Sequence, residues 1–520
     1  MTGPATSRAS TVAETRHGRL RGSIEGGIHV FKGVRYGETT GGGNRFRPPQ
    51  PVQSWSGVRD ALEWGASAPQ FAVPENTDPF HSWYSAIQPI SEDCLFLNLF
   101  TPALDARKRP VLFWIHGGGW REFSGTAPGF NGTNLARAQD VVVVTLNHRL
   151  NGFGFLRLEG SDERFADAGN AGLRDVVAAL QWVRDNAAAF GGDPANVTIF
   201  GESGGASKIA ALLAMKASSG LFHKAILQSS AGGLYLATPE EAARAAAGLA
   251  KALDCNSLDG EALQRVPMHV LVNAMKQAGG PFRGMIDGRS FDADPFATAA
   301  PPVSAHVPVL AGCTNTESTY YLRGDPRSFA LTFADIGRRL TRFLKIDSRQ
   351  TEAIIQHYRS VYPGLDASNI LVMITSDFIF KRNTYRIAAL QAEAGKAPVY
   401  AYLFERESPI EGGRMRASHT CEVPFIFGTA DIAAAHVGTG ADIAPITQRM
   451  MATWASFART GDPGNATLPS WRPFSDADRP MMVLNLDSRL LPDPGGEARA
   501  ALEALPYFTY GYAIDTLCRD

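Results

Sequence analysis

Val197-Thr198-Ile199-Phe200-Gly201-Glu202-Ser203-Gly204-Gly205-Ala206 opens on a short apolar run and turns on a serine set among glycines. It continues into Ile209, Ala210, Leu212 and Leu213 at helical spacing. A run of this length bounded by turn residues reads as a buried strand, so the stretch is strand, tight turn, helix. Glycines on both sides of Ser203 let neighbouring backbones pass close to a strained turn that exposes the serine hydroxyl as a nucleophile. The same five residues also fit a glycine-rich turn with a capping serine. The motif is therefore a question put to the rest of the chain.

Upstream, Val111 to Ile115 and Val141 to Leu146 are two more continuous apolar runs, as expected for strands buried on both faces. Leu173, Val176, Val177, Leu180 and Val183 fall at i, i+3, i+4, i+7 spacing and mark a helix ending near Gly191-Gly192-Asp193-Pro194. Strand, crossover helix, strand implies a parallel sheet and an α/β fold. Further strands are expected at Val307 to Leu310 and Val399 to Phe404, each followed by a polar loop. Ligands of open α/β sheets bind beyond the carboxyl ends of strands, so those loops should carry the chemistry.

His116-Gly117-Gly118-Gly119-Trp120 follows the Val111 strand directly and leaves unhindered N–H groups where an oxyanion can be held. Gly118, Gly119 and Gly204 are the candidate donors. A phosphate-cradling loop is the other use of such a turn, but no nucleotide-binding glycine pattern accompanies it. A serine nucleophile needs a base, and the base a carboxylate, in the chain order serine, acid, histidine. Of the later histidines, His357 lies in a helix-like segment and His306 abuts a strand, leaving His419 and His436. His419 stands in the polar loop Arg416 to Glu422 and is favoured; His436 follows three alanines in a stretch expected to be peripheral. For the acid, position alone makes Glu317, just past the Leu310 strand, one candidate among several carboxylates.

The bulk of the sequence narrows the class. The chain has 520 residues, 44% hydrophobic and 19% charged, with a net charge of -1. This balance points away from nucleic acid and anionic membrane as partners. Gly/Pro clusters are spread evenly, with no repeat and no linker, so residues 1–520 read as one large domain, with 1–14 expected to be disordered. No signal-peptide or membrane-spanning pattern is found. Five widely spaced cysteines without a Cys-x-x-Cys pair suit reduced thiols and a cytoplasmic protein. Oligomeric state is left open.

These residues and their surroundings resemble the type-B carboxylesterase family, which includes cholinesterases and bacterial para-nitrobenzyl esterases. The likeness runs nearly end to end: Phe31-Lys32-Gly33-Val34, Arg45-Phe46, Ser91 to Asn98, His116 to Trp120, Asn147-His148-Arg149, Asp167 to Leu173, Phe190 to Pro194, Gln228-Ser229 and Trp454 to Ala458. The resemblance implies the α/β-hydrolase fold, with a large, mostly parallel sheet, helices on both faces and long helical insertions. It further implies a small-molecule ester as substrate, no metal or organic cofactor, and a Ser203, Glu317, His419 triad, the histidine matching a His-x-x-Glu pattern with Glu422. Glu202 is expected beside the imidazole and Ser229 beside the acid. Trp83, Trp120 and Phe282 are candidate pocket walls, Trp83 and Phe282 equally readable as packing.

Three departures stand out. Secreted members pair the cysteine of the Glu-Asp-Cys-Leu segment with one upstream, but Cys94 has no such partner, nor has Cys255 a close downstream one. The usual alanine after the serine is Gly204, which is expected to loosen the turn, and the usual Asp-Glu at the acid is Thr316-Glu317. Two other readings share the scaffold: cleavage of carbamates or amides by the same triad, and a non-catalytic binding protein of the family, which would have lost the nucleophile.

Overall fold

In a computed structural model the described residues are 11–71, 78–85, 89–158, 160, 162–280, 282–510 and 514–518. An eleven-stranded sheet organises them. Its strands in chain order are β1 (Ser23–Glu25), β2 (Ile28–Arg35), β3 (Phe96–Thr101), β4 (Arg109–Ile115), β5 (Val142–Leu146), β6 (Gly192–Glu202), β7 (Lys224–Gln228), β8 (Val309–Thr314), β9 (Val399–Phe404), β10 (Pro480–Leu484) and β11 (Arg489–Pro492). Across the sheet they run β11-β10-β9-β8-β7-β6-β4-β5-β3-β2-β1. The stretch from β5 through β4 and β6 to β10 is parallel, and both ends of the sheet are antiparallel.

Alternation along the strands divides the core in two. Phe113 and Ile115 of β4, Ile199 of β6 and Leu227 of β7 face the helices Ala171–Asn186 and Gly204–Ala214. Leu112, Trp114, Phe200 and Ile226 face Thr133–Gln139 and Ile443–Thr460 on the other side. The predicted crossover helix is Ala171–Asn186, with Leu173, Val176, Leu180 and Val183 buried as its spacing requires. Truncating Leu173 or Leu180 to alanine would cost about 2–5 kcal/mol.

A third apolar cluster belongs to the helical insertion after β8. Capping boxes open two of its helices: Thr332 with Asp335 before Phe333–Leu344, and Asp347 with Gln350 before Ser348–Val361. Each satisfies backbone donors that the first helical turn leaves free.

Two expectations shift. Val12–Thr15 is a strand paired with Gly18–Arg21 in a separate three-stranded sheet completed by Val58–Asp60, so order begins before residue 14; residues 1–10 lie outside the described ones. Backbone pairing here outweighs the polar, small-residue composition. The strand expected at Val307 begins at Val309. Among the described residues no helix is long and apolar enough to cross a membrane.

Candidate active site

Ser203 caps the end of β6 and the start of the helix Gly204–Ala214 with φ 57° and ψ −119°, a backbone conformation that L-residues avoid. Two contacts hold it there. Its N–H donates to Gln228 O at the end of β7 at 2.8 Å, and Ser207 N–H donates to Ser203 O at 3.0 Å. Gly205 is required because a Cβ there would lie 2.0 Å from Ile115 O.

Gly204 likewise has no room for a side chain: a Cβ would lie 2.0 Å from Gly119 O and 2.4 Å from Gly119 Cα. The expectation that this glycine loosens the turn is therefore reversed. The space of the methyl group is occupied by the backbone of the His116 to Trp120 loop, which packs directly on the helix.

Glu317, three residues past β8, is fully buried. One carboxylate oxygen accepts from Ser229 Oγ at 2.6 Å and from Thr314 N at 2.8 Å, and the other lies 2.5 Å from His419 Nδ1. His419 is buried, its N–H donates to Glu317 O, and its ring is boxed by Phe380, Tyr321 and Tyr320 at centroid distances of 4.6, 5.6 and 5.7 Å. Glu202 Oε1 approaches the opposite edge, 3.1 Å from His419 Nε2, without the direction of a hydrogen bond.

Ser203, Gly118, Gly119, Glu202 and His419 line one cavity of about 920 Å³, together with Trp83, Trp120 and Phe282. Trp83 is nearly covered, its indole N–H donating to His436 Nδ1 at 3.1 Å. His436 is thus not peripheral. It is fully buried, bonded to Trp83 and Ser418, and does not reach the cavity wall.

With that geometry fixed, comparison with known proteins is decisive. Residues 9–500 match the model of the carboxylesterase family. The chain belongs to that family. The carboxylesterase is similar to the para-nitrobenzyl esterase of Bacillus subtilis (strain 168), 32% identical over 504 residues that cover 94% of this chain and 98% of the other. It is 34% identical to the phenmedipham hydrolase of Pseudarthrobacter oxydans over 495 residues, 91% and 94% of the two chains. Among solved structures, a carboxylesterase of Geobacillus stearothermophilus at pH 6.2 matches with a TM-score of 0.82 and 38% identity, over 94% of this chain and 99% of that one. The chain is a carboxylic ester hydrolase of the α/β-hydrolase fold, which sets aside the non-catalytic reading.

The electrostatics of the carboxylesterase's site are dominated by burial. Burial, and then the nearby charge of Glu317, push the Glu202 carboxyl well above its ordinary range. Glu422, three residues after His419, is raised to about 8 by burial and then by Glu202 and Glu317. Its Oε1 accepts from Gln228 Nε2 at 3.1 Å, and Gln228 Oε1 in turn accepts from Trp454. Three acids thus share one low-dielectric region, and only Glu317 has a full set of donors. Among the described residues no group of three or more His, Cys, Asp and Glu side chains is arranged to hold a metal ion.

Several residues at the site were not singled out by sequence reasoning. Tyr320 and Tyr321 follow Glu317 by one helical turn, a spacing that could have flagged them. Phe380 reaches His419 from a π-helical segment, Asp377–Lys381, for which apolar periodicity gives no signal. Lys208, the one charged side chain in an otherwise small and apolar helix, is legible in the sequence as a buried charge.

Proposed function

We propose that Ser203 is the nucleophile of this carboxylesterase, with His419 as general base and acid and Glu317 as the group that orients the imidazole. The observation that carries the reading is the 2.5 Å contact of His419 Nδ1 with a fully satisfied, buried Glu317, beside a serine at positive φ on the same cavity. Ser203 Oγ attacks the ester carbonyl carbon as its proton passes to His419 Nε2. The oxyanion is held by the N–H groups of Gly118, Gly119 and Gly204, each worth about 10²–10³ in rate on the scale of such donors. His419 returns the proton to the leaving alcohol, and water repeats the sequence on the acyl-enzyme. Glu202 and Ser229 support the imidazole and the acid.

The cavity is of drug-like size and walled by Trp83, Tyr84, Trp120, Phe123, Phe282 and Tyr320, so we assign esters bearing an aryl or other bulky apolar group as the preferred substrates. Free Cys94, Cys255, Cys313 and Cys421 support a cytoplasmic enzyme, and an eleven-stranded sheet whose strands come from Ser23 through to Pro492 supports a single domain.

Ser203→Ala is expected to abolish turnover of aryl esters while leaving the melting temperature within a few degrees of wild type. Turnover near wild type in that variant would overturn the mechanism. A panel varying acyl length, alcohol bulk and ester against carbamate or amide then fixes the preferred bond.

A further inference from the structure

Lys208 lies in the helix Gly204–Ala214 and is fully buried, with no carboxylate bonded to it. Its Nζ donates to His116 O at 3.2 Å and stands 5.8 Å from the centre of the Trp120 ring. Those two residues bracket Gly117-Gly118-Gly119, so one amine grips both ends of the loop. The same helix touches the loop's backbone at Gly204 and Gly119. His116 and His148, stacked 5.1 Å apart, are the titratable groups facing the amine from the ends of β4 and β5, and burial, then Lys208 itself, holds both neutral.

A buried amine without a counter-ion is costly, and its burial lowers the Lys208 pKa to about 7. A position serving packing alone would be better filled by leucine or methionine. We propose that Lys208 is a positioning residue that fixes the oxyanion loop, and so the aim of the Gly118 and Gly119 N–H groups, through its bond to His116 O. The proposal rests on the oxyanion role assigned above to those glycines.

A trifluoromethyl ketone with an aryl group tests it. Ser203 Oγ adds to the ketone carbon, its proton passes to His419, and the resulting hemiketal oxyanion reads the loop directly. In Lys208→Met, kcat is expected to fall about tenfold or more, less than the 10²–10³ of losing a donor outright. Affinity for the ketone should fall by the same factor, with KM within about twofold. Lys208→Gln, which keeps an N–H donor, should lose less and covers the case in which the methionine variant misfolds. Unchanged kcat, or a loss of kcat with ketone affinity intact, would overturn the Lys208 role. Failure of the wild-type enzyme to bind the ketone would instead overturn the oxyanion reading.

Discussion

Two glutamates flank the imidazole of His419, and they differ in what else they touch. Glu317 accepts from Ser229, Thr314 and His419 and is fully buried with both oxygens engaged. Glu202 also stands within hydrogen-bond range of the other edge of the ring, at 3.1 Å against 2.5 Å for Glu317, yet its Oε1 has no hydrogen-bond donor, and burial followed by the charge of Glu317 drives its carboxyl toward the neutral form. Distance alone does not tell a partner from a neighbour. A carboxylate keeps its charge in a dry site only when donors are aimed at it, so the fully bonded acid can stabilise an imidazolium and the orphaned one cannot do so equally well.

The sharpest way to break that contrast is Glu317→Gln. It preserves shape but removes the charge and favours the wrong tautomer, and kcat/KM is expected to fall by about 10³–10⁴. A rate near wild type would transfer the orienting role to another acid. Glu202→Gln should cost less than about tenfold at neutral pH, because a neutral carboxyl and an amide are close in size and charge. A loss as large as that of Glu317→Gln would erase the distinction between the two.

Glu422 offers the smallest and most thermodynamic test. Its folded pKa of about 8 lies above the ordinary value of 4.5, so the native state holds a proton that the unfolded chain releases between those values. Stability therefore falls as pH rises through that window. Glu202, raised in the same direction, adds to the fall. Glu422→Gln should reduce the drop in melting temperature between pH 5 and 8.5 by about 1 °C per kcal/mol relieved, without flattening it entirely. An undiminished drop would mean that Glu422 is ionised in the folded enzyme throughout.

What the sequence disclosed follows from what each feature depends on. Buried parallel strands and the Ala171–Asn186 helix are written in apolar periodicity, and the turn at Ser203 in glycines that the close approach of Ile115 demands. The placing of His419 against Glu317 depends on loops 102 residues apart meeting over the sheet; position after a strand suggested each residue, and only the family resemblance joined the two. The tight packing at Gly204 has no local sign, because its neighbour is a backbone, Gly119, supplied by a distant loop. The burial of His436 and the π-helical delivery of Phe380 likewise come from tertiary packing. Neither leaves a local trace.

The most direct test of the account is to let a slowly released aryl phosphate ester inactivate the enzyme and map the adduct by peptide mass spectrometry. One equivalent on the peptide carrying Ser203, with loss of esterase activity in proportion, is the predicted result. Esterase activity that survives full labelling of Ser203, or inactivation with the adduct on another residue, would contradict it.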